Sequence, residues 1–275
     1  MFRWKSFAGF ILAAALFTGL AQPAQAQLTK LNVGYSAISG DALPAWLAKD
    51  AGIFERNGLD VQPVFFTGGT TAIMALVSAD TPIAQLAGPA VVNSVMAGSD
   101  ATIVAGGVIS LNYYLQSRAD IKTPEQLKGG SVAVSRFGSS SDFIARYALT
   151  KIGLAPGKDV TIVQIGSTTA RVDAVIAGRV QATVVNPPAS FIAQKRGMHT
   201  LADLTKLGLV YQHTAAATTR KYIREHRDVV RRYVKSQIEA VHRIYTDKES
   251  SIRALGRFIG RNVDPWLAAD EASAG

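Results

Sequence analysis

The chain has 275 residues, 29 Lys and Arg against 20 Asp and Glu for a formal charge of +9, and no cysteine. Without cysteine there is no disulfide framework, no thiol nucleophile and no lipid-attachment site. The four histidines, His199, His213, His226 and His242, stand too far apart for ligand spacing, so neither a metal nor a cofactor is expected.

Residues 1–26 read as an export signal. Arg3 and Lys5 start it, Phe7 to Ala21 is an apolar run too short for a comfortable membrane span, and Ala24-Gln25-Ala26 is a small-x-small cleavage site. Its removal takes away two cations and leaves +7. A soluble periplasmic chain without a stable membrane anchor is therefore expected. A basic balance suggests nucleic acid as a partner, but export argues against it. Much of the charge sits between Arg220 and Lys235, where Ile223, Val229, Val230, Tyr233 and Val234 keep helical period. That reads as an amphipathic helix with a solvated basic side.

Taken in order, the rest alternates strands and helices. Lys30 to Tyr35 is a strand, Pro44 opens a helix ending at Gly52, and Leu59 to Phe66 is a second strand. A helix follows at Thr71–Ser78, a strand at Ile83–Leu86, a helix at Val91–Ala97 and a strand at Ala101–Ile109. Leu111 to Ser117 is extended, and Thr123 caps a short helix with Pro124 in its first turn. Ser131 to Leu149 then reads as strand, glycine-serine loop and helix, with Ser140 or Ser141 as N-cap and Asp142 in the first turn. Strands at Val160–Ile165 and Ala182–Val185 flank a helix at Ala170–Ala177, and Asn186-Pro-Pro follows. Gly208 to Ala217 is a second extended segment. Strands separated by such helices imply parallel pairing with crossover helices on both faces.

The pattern is stated twice. Shifted by 101, Ser39-Gly40-Asp41 lies over Ser140-Ser141-Asp142. Shifted by 98, Gly68 to Pro89 lies ungapped over Gly166 to Pro187 with eight identities in 22 positions, where roughly two are expected from composition. Two similar lobes follow: 27–112 with 213–275, and 113–212. Two crossings would make a hinge, with a cleft between the polar loops.

Those loops carry the candidate site. Gly138, Ser139 and Ser140 in one lobe and Gly69 and Thr70 in the other precede helices, where unpaired N–H groups and the dipole accept an anionic oxygen. The same stretches also serve simply as capped helix starts, and the residues leave both readings open. Arg136 is the cation beside the serine loop, and either pairs with an acidic ligand or faces solvent. Tyr113 and Tyr114 either line the hinge side of the cleft or pack. No Gly-x-Ser-x-Gly elbow or phosphate loop with Lys-Ser is present, so no catalytic residue is assigned.

Several stretches together resemble a known family: Val33-Gly-Tyr-Ser36, Ala48 to Leu59, Phe66-Thr-Gly-Gly-Thr70, Lys122 to Gly129, Ser135 to Asp142 and Asn186-Pro-Pro-Ala189. These resemble the periplasmic substrate-binding proteins of ABC importers of the nitrate, sulfonate and taurine type, a pattern that also takes in binding proteins for thiamine-pyrimidine precursors. The resemblance implies a type II periplasmic-binding fold with parallel-rich sheets, a small-molecule anion as ligand, permease subunits as partners and a monomer. It places ligand-contacting loops at Tyr35, Ser36 and Ser39, Gly68 to Thr71, Gly88 to Ala90, Arg136 to Ser141, and Asn186 to Pro188. Many relatives carry Asp or Trp near the Asn186 position. Members usually continue past Gly275, so a cut C-terminal part of the first lobe is expected, with apolar surface uncovered unless residues 246–275 fold back. A rival class is a pyrimidine-precursor synthase, against which the missing cysteine and the signal both argue. A receptor serving a sensor is a third reading.

Overall fold

A computed structural model of the chain describes residues 27–259. The expected signal, residues 1–26, and the last sixteen residues lie outside them. In the first lobe, β1 (Thr29–Tyr35), α1 (Leu43–Asp50), α2 (Ile53–Arg56), β2 (Leu59–Phe65), α3 (Gly69–Val77), β3 (Ile83–Leu86), α4 (Gly88–Met96) and β4 (Ala101–Gly106) follow in turn. The second contributes β5 (Tyr114–Ser117), α5 (Pro124–Leu127), β6 (Ser131–Val134), α6 (Ser140–Lys151), β7 (Thr161–Gln164), α7 (Thr168–Ile176), β8 (Ala182–Val185), α8 (Ala189–Lys195) and β9 (His199–Asp203). The chain then returns through β10 (Ala215–Thr219), α9 (Arg220–Glu225), α10 (Arg227–Thr246) and α11 (Lys248–Ile259).

Each lobe holds a five-stranded sheet, ordered β2-β1-β3-β10-β4 and β7-β6-β8-β5-β9. The first three strands of each are parallel, and the fourth is antiparallel to both of its neighbours. That antiparallel strand reaches each sheet directly from a crossing. The two sheets are thus built alike, as the internal repeat implies.

The central strands of both sheets are buried on both faces, and each face packs into its own core. In the first, Leu31, Val33 and Val61 face Phe54, Val230 and Tyr233, while Ala84 and Leu86 face Ile73, Leu76 and Val91. In the second, Val132, Val134 and Val184 pack on Ile144 and Leu149, and Ala133 and Val185 pack on Val172 and Val175. Helices thus cover both faces of each sheet, which is what buried parallel strands require.

The expected strand Ala101–Ile109 stops at Gly106, because the chain there leaves the sheet to cross. The crossings lie side by side: Gly107 N–H donates to Thr214 O at 2.8 Å, and Tyr211 N–H to Ile109 O at 3.0 Å. The long basic helix is broken at His226 into α9 and α10. Strand β9 was not apparent in the sequence, for His199 to Asp203 is half-buried throughout and has no alternation. Helix α11 does fold back onto the first lobe. Phe258 stacks on the buried Trp46 with ring centroids 5.3 Å apart, and Arg257 pairs with Asp50. Ile238, Val241 and Tyr245 of α10 remain exposed.

Candidate functional site

The loops at the strand ends of both lobes enclose a cavity of about 130 Å³. From the first lobe it is lined by Tyr35, Ser36, Ser39, Asp41 and Gly69, and from the second by Ser139, Ser140, Thr168 and Arg171. Tyr113 and His213 of the crossings close its floor.

The serine loop is organised by its own hydroxyls. Ser135, Ser139 and Ser141 bond one another at 2.9 to 3.1 Å, and Ser135 N–H donates to Ser141 Oγ at 2.8 Å. Ser139 occupies the N-cap position of α6 without a side-chain cap bond. Gly138, at φ 73°, donates its N–H to Asp142 Oδ2 at 2.9 Å, so this donor is used within the loop. Ser140 Oγ meets the hydroxyl of Tyr211 at 3.0 Å. Burial pushes the Tyr211 phenol up to about 12, partly offset by this bond. Tyr113, fully buried, is also raised by desolvation, with the Asp41 charge adding to it.

The lobes touch along a seam. Thr70 Oγ1 donates to Phe137 O at 3.0 Å and Asn93 Nδ2 to Gly138 O at 3.2 Å. Gly68 has φ 90°, and a Cβ there would meet Ser135 Oγ at 2.7 Å, so only glycine fits against the opposing lobe. Of the sequence-derived residues, Tyr35, Ser36, Ser39, Gly69, Ser139 and Ser140 line the cavity. Thr70 and Gly138 lie in the seam instead, bonded across it. Arg136 is exposed outside the cavity lining. Gly88 packs against Gln212, where a Cβ would come 3.0 Å from its carbonyl oxygen. Asn186 binds Asp41.

That last contact belongs to a cluster the sequence did not show. Asp41 Oδ2 accepts from Asn186 Nδ2 at 2.7 Å and meets His213 Nε2 at 3.0 Å; Oδ1 accepts from Asn112 Nδ2 at 2.7 Å. One carboxylate thus ties the first lobe to the second and to both crossings. Burial alone would raise its pKa, but the hydrogen bond and charge of His213, with bonds from Asn112 and Ser39, hold it below the usual carboxylate range.

The second residue missed is Arg171 on α7. It is 3 % exposed, and its guanidinium donates to Val184 O at 3.2 Å and to Thr168 Oγ1 at 3.1 Å. Burial lowers its pKa to about 10. A signal existed: in the 98-residue register Arg171 lies over Ile73, which is buried in the first lobe's core. A charge at a position where the other lobe keeps an isoleucine is an anomaly that the repeat exposes.

Comparison with known proteins agrees with the architecture. The model of the NMT1-like family matches residues 24–257. YtlA of Bacillus subtilis, a protein named for a binding role, is 23% identical over 248 residues, covering 87% of this chain and 74% of that one. A Brucella abortus protein named in the same way is matched over 49% of its length, about half. Among solved structures, the alkanesulfonate-binding protein SsuA from Xanthomonas axonopodis pv. citri, bound to MOPS, has a TM-score of 0.72 at 21% identity, covering 86% of this chain and 84% of that one. The periplasmic nitrate-binding protein NrtA from Synechocystis PCC 6803 gives 0.71 at 20% identity, covering 84% and 66%. These relatives are binding proteins, not enzymes.

Proposed function

Because the chain belongs to the NMT1-like family, we propose that it is an exported solute-binding protein that captures a small anion between its lobes and delivers it to an ABC importer. The observation that carries this reading is the convergence of Ser39, Gly69, Ser139, Ser140 and Thr168, all beside helix starts, on one cavity reached from both lobes. Helix starts and hydroxyls supply hydrogen-bond donors for anionic oxygen without a titrating side chain. Sulfonate, nitrate and taurine are the candidate ligands, in keeping with what SsuA and NrtA are named for. The signal at residues 1–26 would place the mature chain in the periplasm as a monomer, with a permease as its partner.

Thermal unfolding of the mature protein with and without nitrate, taurine and methanesulfonate tests this, since a ligand bound only by the folded state raises Tm by mass action. A rise with one of these anions is expected. A rise only with a thiamine-precursor pyrimidine would replace the anion reading. N-terminal sequencing of periplasmic material should read Gln-Leu-Thr-Lys, and an intact Met1 in the membrane fraction would overturn export.

A further inference from the structure

Arg171 is a buried cation without a matching anion. Each of its two Nη atoms donates one N–H to an uncharged acceptor, a backbone carbonyl and a threonine hydroxyl, and its Nε has no hydrogen-bond partner. None of the ion pairs among the described residues includes it. The carboxylate of Asp41, which also lines the cavity, is engaged by His213, Asn112 and Asn186. Burying an ionised group without an opposite charge is costly, and arginine cannot readily escape by losing its proton. The lowered pKa reports that desolvation. The fold does not require a charge here, because the first lobe puts Ile73 at the matching position of its own α3.

The cavity beside it also sets a size. An apolar cavity of about 150 Å³ admits benzene, with roughly six heavy atoms, and this one encloses about 130 Å³. Resting on the anion reading above, we infer that Arg171 selects the ligand's charge by binding the oxyanion head of a small monoanion, and that the cavity between the lobes has room for about six or seven non-hydrogen atoms. The Nη bonds to Val184 and Thr168 fix the guanidinium plane and use two of its five N–H donors, so three are left for the ligand. Methanesulfonate, nitrate and acetate fit this description, whereas a substituted pyrimidine or a long-chain sulfonate does not.

Calorimetry on the mature chain decides it, with sodium methanesulfonate, nitrate and acetate as probes and methanesulfonamide as a neutral control of similar size. At least one anion should bind, and the control should bind roughly a hundredfold more weakly. Arg171→Met should weaken that anion by about a hundredfold, equivalent to about 2.7 kcal/mol, while raising the ligand-free Tm because an unpaired buried charge is gone. Arg171→Lys, which keeps the charge but not the planar fork, should fall between; it also decides the matter should the methionine variant not fold. Equal anion affinity in wild type and both variants would overturn the role of Arg171 and leave the anion reading standing. No binding by any of the three anions, or preference for the neutral control, would overturn both. Hexanesulfonate or MOPS binding as tightly as methanesulfonate would overturn the size limit alone.

Discussion

The two lobes are one pattern folded twice, and their differences lie where the pattern is broken. Asp41 and Asp142 occupy matching positions in the 101-residue register, each near a helix start. Asp142 looks inward: it accepts from Gly138 N–H and pairs with Arg146 four residues on, so it finishes its own loop. Asp41 looks outward, to Asn112, Asn186 and His213. A second pair, Ile73 and Arg171, contrasts a core side chain with an unpaired charge at the cavity. The local rules make both lobes fold, and the departures from symmetry couple them and give the cavity its charge.

The largest effect should come from Asp41→Ala. It strands His213, Asn112 and Asn186, and each buried polar group left without its partner costs about 1 to 3 kcal/mol. Urea unfolding at pH 7 measures it, and a loss no greater than that of Asp142→Ala would erase the distinction between the two aspartates. Phe258→Ala should rank next, at about 2 kcal/mol, below the 3 to 5 of a fully buried phenylalanine because the ring is half-buried. That variant asks whether the first lobe depends on α11 in a way the second lobe, lacking such a helix, does not.

Acid should expose the Asp41 cluster as well. Because the Asp41 pKa is lower in the folded protein, its contribution is complete above the unfolded value of about 3.9 and is lost as the pH falls through the lowered folded value. Wild type should therefore lose stability more steeply below about pH 4 than Asp41→Asn, in urea titrations from pH 6 to 2. Parallel curves for the two proteins would remove Asp41 from the account.

Asp142→Ala should cost about 1 to 2 kcal/mol, the worth of a local charged acceptor, with little change in anion affinity. The smallest effect concerns the seam. Thr70→Val keeps the shape but removes the bond to Phe137 O, so closure should weaken by about 0.5 to 1.5 kcal/mol. That would read as a two- to twelvefold loss of affinity with an almost unchanged Tm. A change in Tm without a change in affinity would place Thr70 in the first lobe's own packing.

Much of this architecture was open to reading in the chain itself. Apolar spacing places most helices and strands, and the repeat by itself implies two matched lobes. The glycine-serine loops were identifiable because capping chemistry is local: Ser135, Ser139 and Ser141 bond one another and Asp142 accepts from Gly138, all within residues 135–142. Asp41 and His213 are 172 positions apart, and Asp41 and Asn186 are 145 apart. No periodicity links such residues, because their contact is made by two crossings that run side by side and by lobes that meet only after each has packed. Arg171 shows the same divide within a single helix. Its place in the repeat marks it as odd, but whether an odd arginine faces solvent, a carboxylate or a cavity depends on what the rest of the fold brings next to it. Helix and strand follow from short-range sterics and hydrogen bonding, which the sequence carries directly. Charge compensation depends on distance and desolvation in three dimensions, and only the tertiary structure sets those.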